Sequence, residues 1–272
     1  LRYSAVTVLM AAAFCVFPVS RRVYAQAGMT IRDLYLNAEK AYDMGDYDRA
    51  GEYFRKVLEI DPQFAPAYNA LALVYHSKGA PLDEVAAYIE KAVTINPGYA
   101  QAYDNLCRIY YEAREFDLAE RVCSHALTLD ERLPVSLLSL AWIYLGHRQD
   151  AGKAAMHFEK VVRHMPSPRS YYGLGMAYLA NNNRVEVLDV ITKLRSMGAN
   201  EFASRLEGHL RGDIPWDEAP VSSEAASRQT GRIISSQPRV EGRKTPADIS
   251  APSTGVMQIR LRGKLTPMPA QP

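Results

Sequence analysis

The chain has 272 residues, 48% hydrophobic and 23% charged, which suits one sizeable domain with extensions. A formal net charge of +2 excludes a bulk basic field of the kind that gathers nucleic acid or anionic membrane.

The first segment reads as a targeting signal. Ser4 to Ser20 carries no charge and follows Arg2, and Ala25 and Ala27 are spaced as in an A-x-A cleavage site. This predicts a secretory signal peptide over residues 1–27, cleaved after Ala27, and a periplasmic or secreted mature protein. Arg21 and Arg22 follow the apolar run and support the alternative, a membrane anchor with the rest of the chain in the cytoplasm. Phe14 directly before Cys15 argues against lipidation, which wants a small residue there. Without Arg2, Arg21 and Arg22 the mature chain has 29 basic and 30 acidic residues, and it keeps two cysteines, Cys107 and Cys123.

From residue 31 a repeat sets in. Pro62 closes KVLEIDP and Pro97 closes KAVTINP, 35 residues apart; Glu131 and Pro166 follow at steps of 34 and 35. Tyr68, Tyr103, Leu137 and Tyr171 recur at steps of 35, 34 and 34. Each unit predicts two helices. Tyr68, Leu71, Ala72 and Tyr75 fall on one helical face, as do Tyr53, Phe54, Val57 and Leu58. Gly45 separates the two helices of the first unit, and Pro62 ends the second. Neither helix can bury its stripe alone, so the units are expected to stack.

These units resemble the tetratricopeptide repeat, whose pattern is W-x2-L-G-x2-Y, then A-x3-F, then P. The second unit supplies Tyr68, Leu71, Ala72, Tyr75, Val85, Ile89 and Pro97; the third supplies Tyr103, Leu106, Cys107, Tyr110, Ala119, Cys123 and Glu131. The fourth supplies Leu137, Leu140, Ala141, Tyr144, Ala154, Phe158 and Pro166, and the fifth Tyr171, Leu174, Gly175, Tyr178, Val187 and Ile191. The first has Ala50, Phe54 and Pro62 but a degenerate first helix with Leu34, Asn37, Ala38 and Ala41. The expected fold is all-α, an α-solenoid of about five repeats over residues 31–212. Phe202, Leu206 and Leu210 belong to a polar-faced C-terminal capping helix. Residues 213–272 hold eight prolines, and from Val221 onward eight basic and three acidic residues, which reads as a disordered, Pro-rich basic tail. Within it GVMQIRLRGKL alternates in a strand-like way.

No catalytic constellation stands out. H-E-x-x-H, C-x-x-C, G-x-S-x-G, C-x-x-C-H and a Gly-rich phosphate loop are all missing from the sequence. His157 and His164 lie seven apart without carboxylate or thiolate support, a weak metal pair. The expectation is a non-enzyme with no cofactor and no metal. The resemblance implies a groove lined by first helices that binds a protein or peptide partner. By register its candidates are Tyr35, Tyr42, Asn69, Leu73, Asn105, Arg108, Tyr111, Trp142, Tyr172 and Met176, with His76, Asp104 and Glu112 in the same row. The aromatics would supply contact area and Arg108 a fork of donors.

Cochaperone members of the family grip a C-terminal carboxylate with Lys, Asn, Asn, Lys and Arg. The matching places here hold Asn69, Leu73, Asn105, Val135 and Ser139, so a carboxylate-clamp chaperone tail is not expected as partner. Nor is nucleic acid, because residues 28–212 carry 21 basic and 24 acidic residues. The function expected is that of an exported scaffold or adaptor in an envelope or secretion assembly. The alternatives are a membrane-anchored cytoplasmic scaffold and a regulatory subunit of an enzyme complex. Partner identity and oligomeric state stay open.

The register also places Cys107 and Cys123 on two antiparallel helices, level with each other and facing inward. A lone pair lacks the further ligands of a metal site, and the spacing is not that of a C-x-x-C redox pair. A disulfide, plausible in an oxidising compartment, and two buried thiols both remain.

Overall fold

In a computed structural model that describes residues 29–215, the periodic stripes become stacked helical pairs. The first pair is α1 (Ile31–Asp43) and α2 (Tyr47–Ile60), the second α3 (Ala65–Ser77) and α4 (Leu82–Ile95), the third α5 (Ala100–Glu112) and α6 (Phe116–Leu129). The fourth is α7 (Pro134–Trp142) and α8 (Ala151–His164), the fifth α9 (Pro168–Ala180) and α10 (Arg184–Ser196), and α11 (Asn200–Arg211) follows alone. Among the described residues there is no strand, and no helix is long and apolar enough to cross a membrane. The expected signal peptide and nearly all of the expected tail lie outside the described residues.

Packing follows the repeat register. The small positions Ala38, Ala72, Cys107, Ala141 and Gly175 of the first helices are buried, as are their counterparts Ala50, Val85, Ala119, Ala154 and Val187 on the second helices. Phe54, Ile89, Cys123, Phe158 and Ile191 fill the large position of each pair. At Gly175 a Cβ would collide with Leu206 Cδ2 of α11 and lie 3.1 Å from Val190 Cγ1, so a larger residue would have to displace the Leu206 side chain. The cap thereby sits close on the fifth unit and buries Ala203 and Leu206. Gly212 ends α11 at φ +83°, and Ile214 folds back, its carbonyl 3.2 Å from His209 Nδ1. Folded structure thus runs two residues past the compositional boundary at Gly212.

Helix ends follow local chemistry. Thr30 and Asp33 form a capping box on α1, and Asp46 and Asp150 accept the backbone N–H of Arg49 and Lys153 at the starts of α2 and α8. The turn inside every unit passes through one left-handed residue: Gly45, Gly79, Arg114, Gln149 and Asn182. The small positions of a pair are 12 residues apart in units one, three and five but 13 in units two and four. Unit two absorbs its additional residue in the turn at Ala80 and Pro81. Unit four absorbs it inside the helix, where Ile143–His147 widens into a π-helical turn and Arg148 N donates to Ile143 O at 2.9 Å.

Candidate functional site

Within the row of first helices α5 packs directly on α7, and α9 packs on the capping α11. This depth was not readable from the register. Of the ten expected groove residues, Tyr35, Tyr42, Asn69, Leu73, Asn105, Arg108, Tyr172 and Met176 are buried, and only Tyr111 and Trp142 keep partial exposure. Only these two of the ten therefore offer surface in this structure. Leu73 and Met176 are packing residues, Met176 with no exposed surface at all. Trp142 stands edge-on to Phe158, ring centres 5.0 Å apart, and Tyr111 tilts against Phe116 at 5.8 Å. Burial raises the Tyr111 phenol, while Arg114 and Arg169 pull it down.

The buried polar members are joined to each other. Tyr42 Oη lies 2.8 Å from Ser77 Oγ, and Asn105 Nδ2 donates to Asn69 Oδ1 at 3.0 Å. His76 Nε2 pairs with Glu112 Oε2 at 2.7 Å. Arg108, 3% exposed, has its Nη1 3.6 Å from Glu112 Oε1, one helical turn along α5. One turn the other way, Asp104 accepts from Ser136 N at 2.7 Å and Ser136 Oγ at 2.6 Å, tying α5 to the start of α7. Burial pushes the Asp104 carboxyl up to about 6, against the pull of the Ser136 and Val135 donors and of Arg108. Glu39 on α1 rises to about 7 through burial and the nearby Asp43. Tyr35 is packed edge-on by Phe54 and Phe64, and burial raises its phenol. Tyr172 Oη is 3.2 Å from His209 Nε2 and its ring tilts on Phe202.

Ser77 and Ser136 escaped the sequence reading. Each sits at a helix end, and only the partner 35 or 32 residues upstream, Tyr42 or Asp104, would have pointed to it.

Cys107 and Cys123 are disulfide-bonded, with Cα atoms 5.0 Å apart, and both are fully buried. The bond joins α5 to α6 beside Arg108. Among the described residues no three His, Cys, Asp or Glu side chains come together as a metal would need. His157 is buried and stacked on Tyr144; burial first, then Lys160 and Lys153, take it down to about 4, and His164 is exposed.

The family model described as TPR repeat matches residues 39–79, from α1 to the end of the second unit's first helix. Solved structures share the fold. A crystal structure of MamA protein aligns with TM-score 0.52 at 22% identity, over 69% of this chain and 98% of that one. YrrB, described as a TPR protein with an unusual peptide-binding site, aligns with TM-score 0.54 at 19% identity, over 70% and 97%. PilW, described as a widely conserved type IV pilus biogenesis factor, aligns with TM-score 0.57 at 19% identity, over 75% and 99%. No curated protein matches. The chain has the fold of tetratricopeptide-repeat proteins.

Proposed function

We propose that this chain is an exported adaptor that binds a protein or peptide partner along its first helices, in an envelope or secretion assembly, and performs no turnover. One observation carries the binding reading: the first-helix row combines half-buried aromatics, Tyr111 and Trp142, with buried and half-buried polar side chains from α3 to α7. A row needed only for stacking would be apolar, as the buried small and large positions within each helical pair are. The peptide-binding site in the description of YrrB and the pilus-biogenesis role in that of PilW point the same way. The buried Cys107–Cys123 disulfide supports export, because such bonds persist in oxidising compartments.

The test uses protein purified from its native source under alkylation. Export predicts no alkylated cysteine at Cys107 or Cys123 after unfolding, and an N-terminus at Gly28. Two free thiols or a retained Arg2 would sink it. For binding, a partner co-purifying with wild type should be lost with the Tyr111→Ala, Trp142→Ala double variant. Retention of every partner would sink the groove reading.

A further inference from the structure

Two apolar clusters flank the third unit. One runs through the first two units, from Leu34 to Val74, and the other joins the fourth and fifth units to α11, from Ala141 to Leu206. Neither takes in a residue of α5 or α6. The second helix of the third unit has little apolar bulk to contribute: α6 buries Ala119, Val122, Cys123 and Ala126, nothing larger than valine. Each other second helix buries a Phe or an Ile at the large position: Phe54, Ile89, Phe158 and Ile191. Apolar area taken out of water drives such packing, so α6 docks with the weakest drive.

The same unit carries the heaviest polar load. Among the described residues α5 buries Asp104, Asn105 and Arg108, more polar side chains than any other first helix. No guanidinium nitrogen of Arg108 has a hydrogen bond, and burial of this kind opposes folding. The turn after α5 adds Arg114 at φ 60°.

The covalent bond offsets these costs. It joins Cys107 to Cys123 across 16 residues and so removes freedom from the opened hairpin. Both residues are fully buried, and their α-carbons are 5.0 Å apart. Two separate thiols need more room than a bonded pair, so reduction overpacks the joint between α5 and α6.

We propose that Cys107–Cys123 is a redox switch on the middle of the solenoid. Oxidised, α5 and α6 close and the five units form one stack. Reduced, the third unit opens while the flanking units keep their own clusters, because units of a solenoid are held by their nearest neighbours. To close, the two thiols pass two electrons and two protons to the disulfide of another thiol compound or protein. That S–S bond breaks as the Cys107–Cys123 bond forms, and a dithiol reverses the step. The sulfurs are out of reach in the closed stack, so exchange takes place in the open hairpin. This deepens the groove-binding reading by giving its regulation: the first-helix row passes through α5 and is complete only under oxidising conditions.

The test is hydrogen exchange on the full chain, read helix by helix by mass spectrometry and needing no partner. One sample is oxidised in vitro; the other is unfolded, reduced and refolded in a phosphine reductant. Reduction should speed exchange in α5 and α6 by about tenfold or more and leave α2 and α10 within about twofold. The Cys107→Ala, Cys123→Phe double variant installs the pair found in the first and fourth units, Ala38 with Phe54 and Ala141 with Phe158. Its exchange should ignore the reductant. Cys107→Ala with Cys123→Ala removes the bond without filling the site and should match reduced wild type under both conditions. Equal exchange in oxidised and reduced wild type overturns the proposal. Acceleration of every helix alike also overturns it, because the bond then stabilises the whole chain and gates no part of it. A reductant response in either double variant overturns it too. Retention of every partner in Tyr111→Ala, Trp142→Ala would sink the groove reading and leave these exchange rates unchanged.

Discussion

At the seams between units, Tyr110, Tyr144 and Tyr178 donate to Glu90, Glu120 and Glu159 on the preceding second helix, at 2.5, 2.9 and 2.9 Å. Tyr75 at the first seam receives Arg55 Nη1 instead, at 3.3 Å. Along the first-helix row, by contrast, Arg108, Asn69, Asn105 and Glu112 keep atoms with no hydrogen bond. Both sets follow the same repeat register and both cross between helices. The seam repeats tyrosine at one position, and at three of the four seams a glutamate of the preceding second helix accepts its hydroxyl. The first-helix row varies from unit to unit: Asn69, Asp104, Leu138 and Tyr172 stand at equivalent places. Repetition marks what holds the stack together, and variation with unmade bonds marks what is left for a partner.

The sharpest way to break that contrast is at the seam. Tyr110→Phe removes the donor from Glu90, a half-buried carboxylate whose pKa burial already raises and the Tyr110 hydroxyl lowers, so solvent offsets part of the loss. An orphaned buried acceptor costs about 1–3 kcal/mol. The denaturant midpoint should fall accordingly, while affinity for any first-helix ligand stays within twofold. An unchanged midpoint with weakened binding would reverse the roles assigned to the two rows.

Much of this contrast was legible in the sequence, and part was not. The steps between Pro62, Pro97, Glu131 and Pro166 set the helical pairs, and Tyr75, Tyr110, Tyr144 and Tyr178 were readable as one recurring position. Depth along the row was not readable. A register says which face Asn105 or Met176 occupies, but not that both end with no exposed surface, Asn105 bonded to Asn69 of α3. The 13-residue spacing from Ala141 to Ala154 was on the page, yet it does not say whether a turn or a helix takes the additional residue. The structure puts it in the π-turn at Ile143–His147. The level, inward placement of Cys107 and Cys123 followed from the hairpin. Choosing between thiols and a bond needed the 5.0 Å between their α-carbons.

A smaller effect probes where the two rows differ electrostatically. Asp104 in the first-helix row has its pKa raised from 3.8 to about 6, chiefly by burial. Its folded value exceeds its unfolded one, so its charge opposes folding near neutrality, and that penalty fades as pH falls through 6. Seam residue Glu120 is shifted the other way, lowered by Tyr144 and Arg148 against burial, and its contribution is present at neutral pH and lost in acid. Asp104→Asn has no such proton to gain. Between pH 7.5 and pH 5 the stability of wild type relative to Asp104→Asn should therefore rise, by about 1 kcal/mol for full titration of a single step of one unit. Taking the difference between the two proteins cancels His157, whose depressed pKa of about 4 works in the opposite direction between 6.5 and 4. A difference that is flat with pH would remove Asp104 from the set of strained charges.

The smallest effect lies in the turns that join the helices of each unit. Units one and two place Gly45 and Gly79 at the left-handed residue, while units three to five place Arg114, Gln149 and Asn182 there, at φ 60°, 54° and 59°. A Cβ in that conformation crowds the following carbonyl, which asparagine tolerates better than arginine or glutamine. Arg114→Gly relieves the crowding but gives the unfolded chain more freedom. The balance should be a gain of about 0.5 kcal/mol, read as a higher denaturant midpoint, with Asn182→Gly closer to neutral. Arg114 follows α5 and its charge bears on Tyr111, so Asn182→Gly, at the fifth unit's turn, is the variant whose partner affinity should not change. If Arg114→Gly lowers stability, the arginine side chain contributes more to the joint than its backbone costs. The division between the complete seam and the open row would then have to include the turn that connects them.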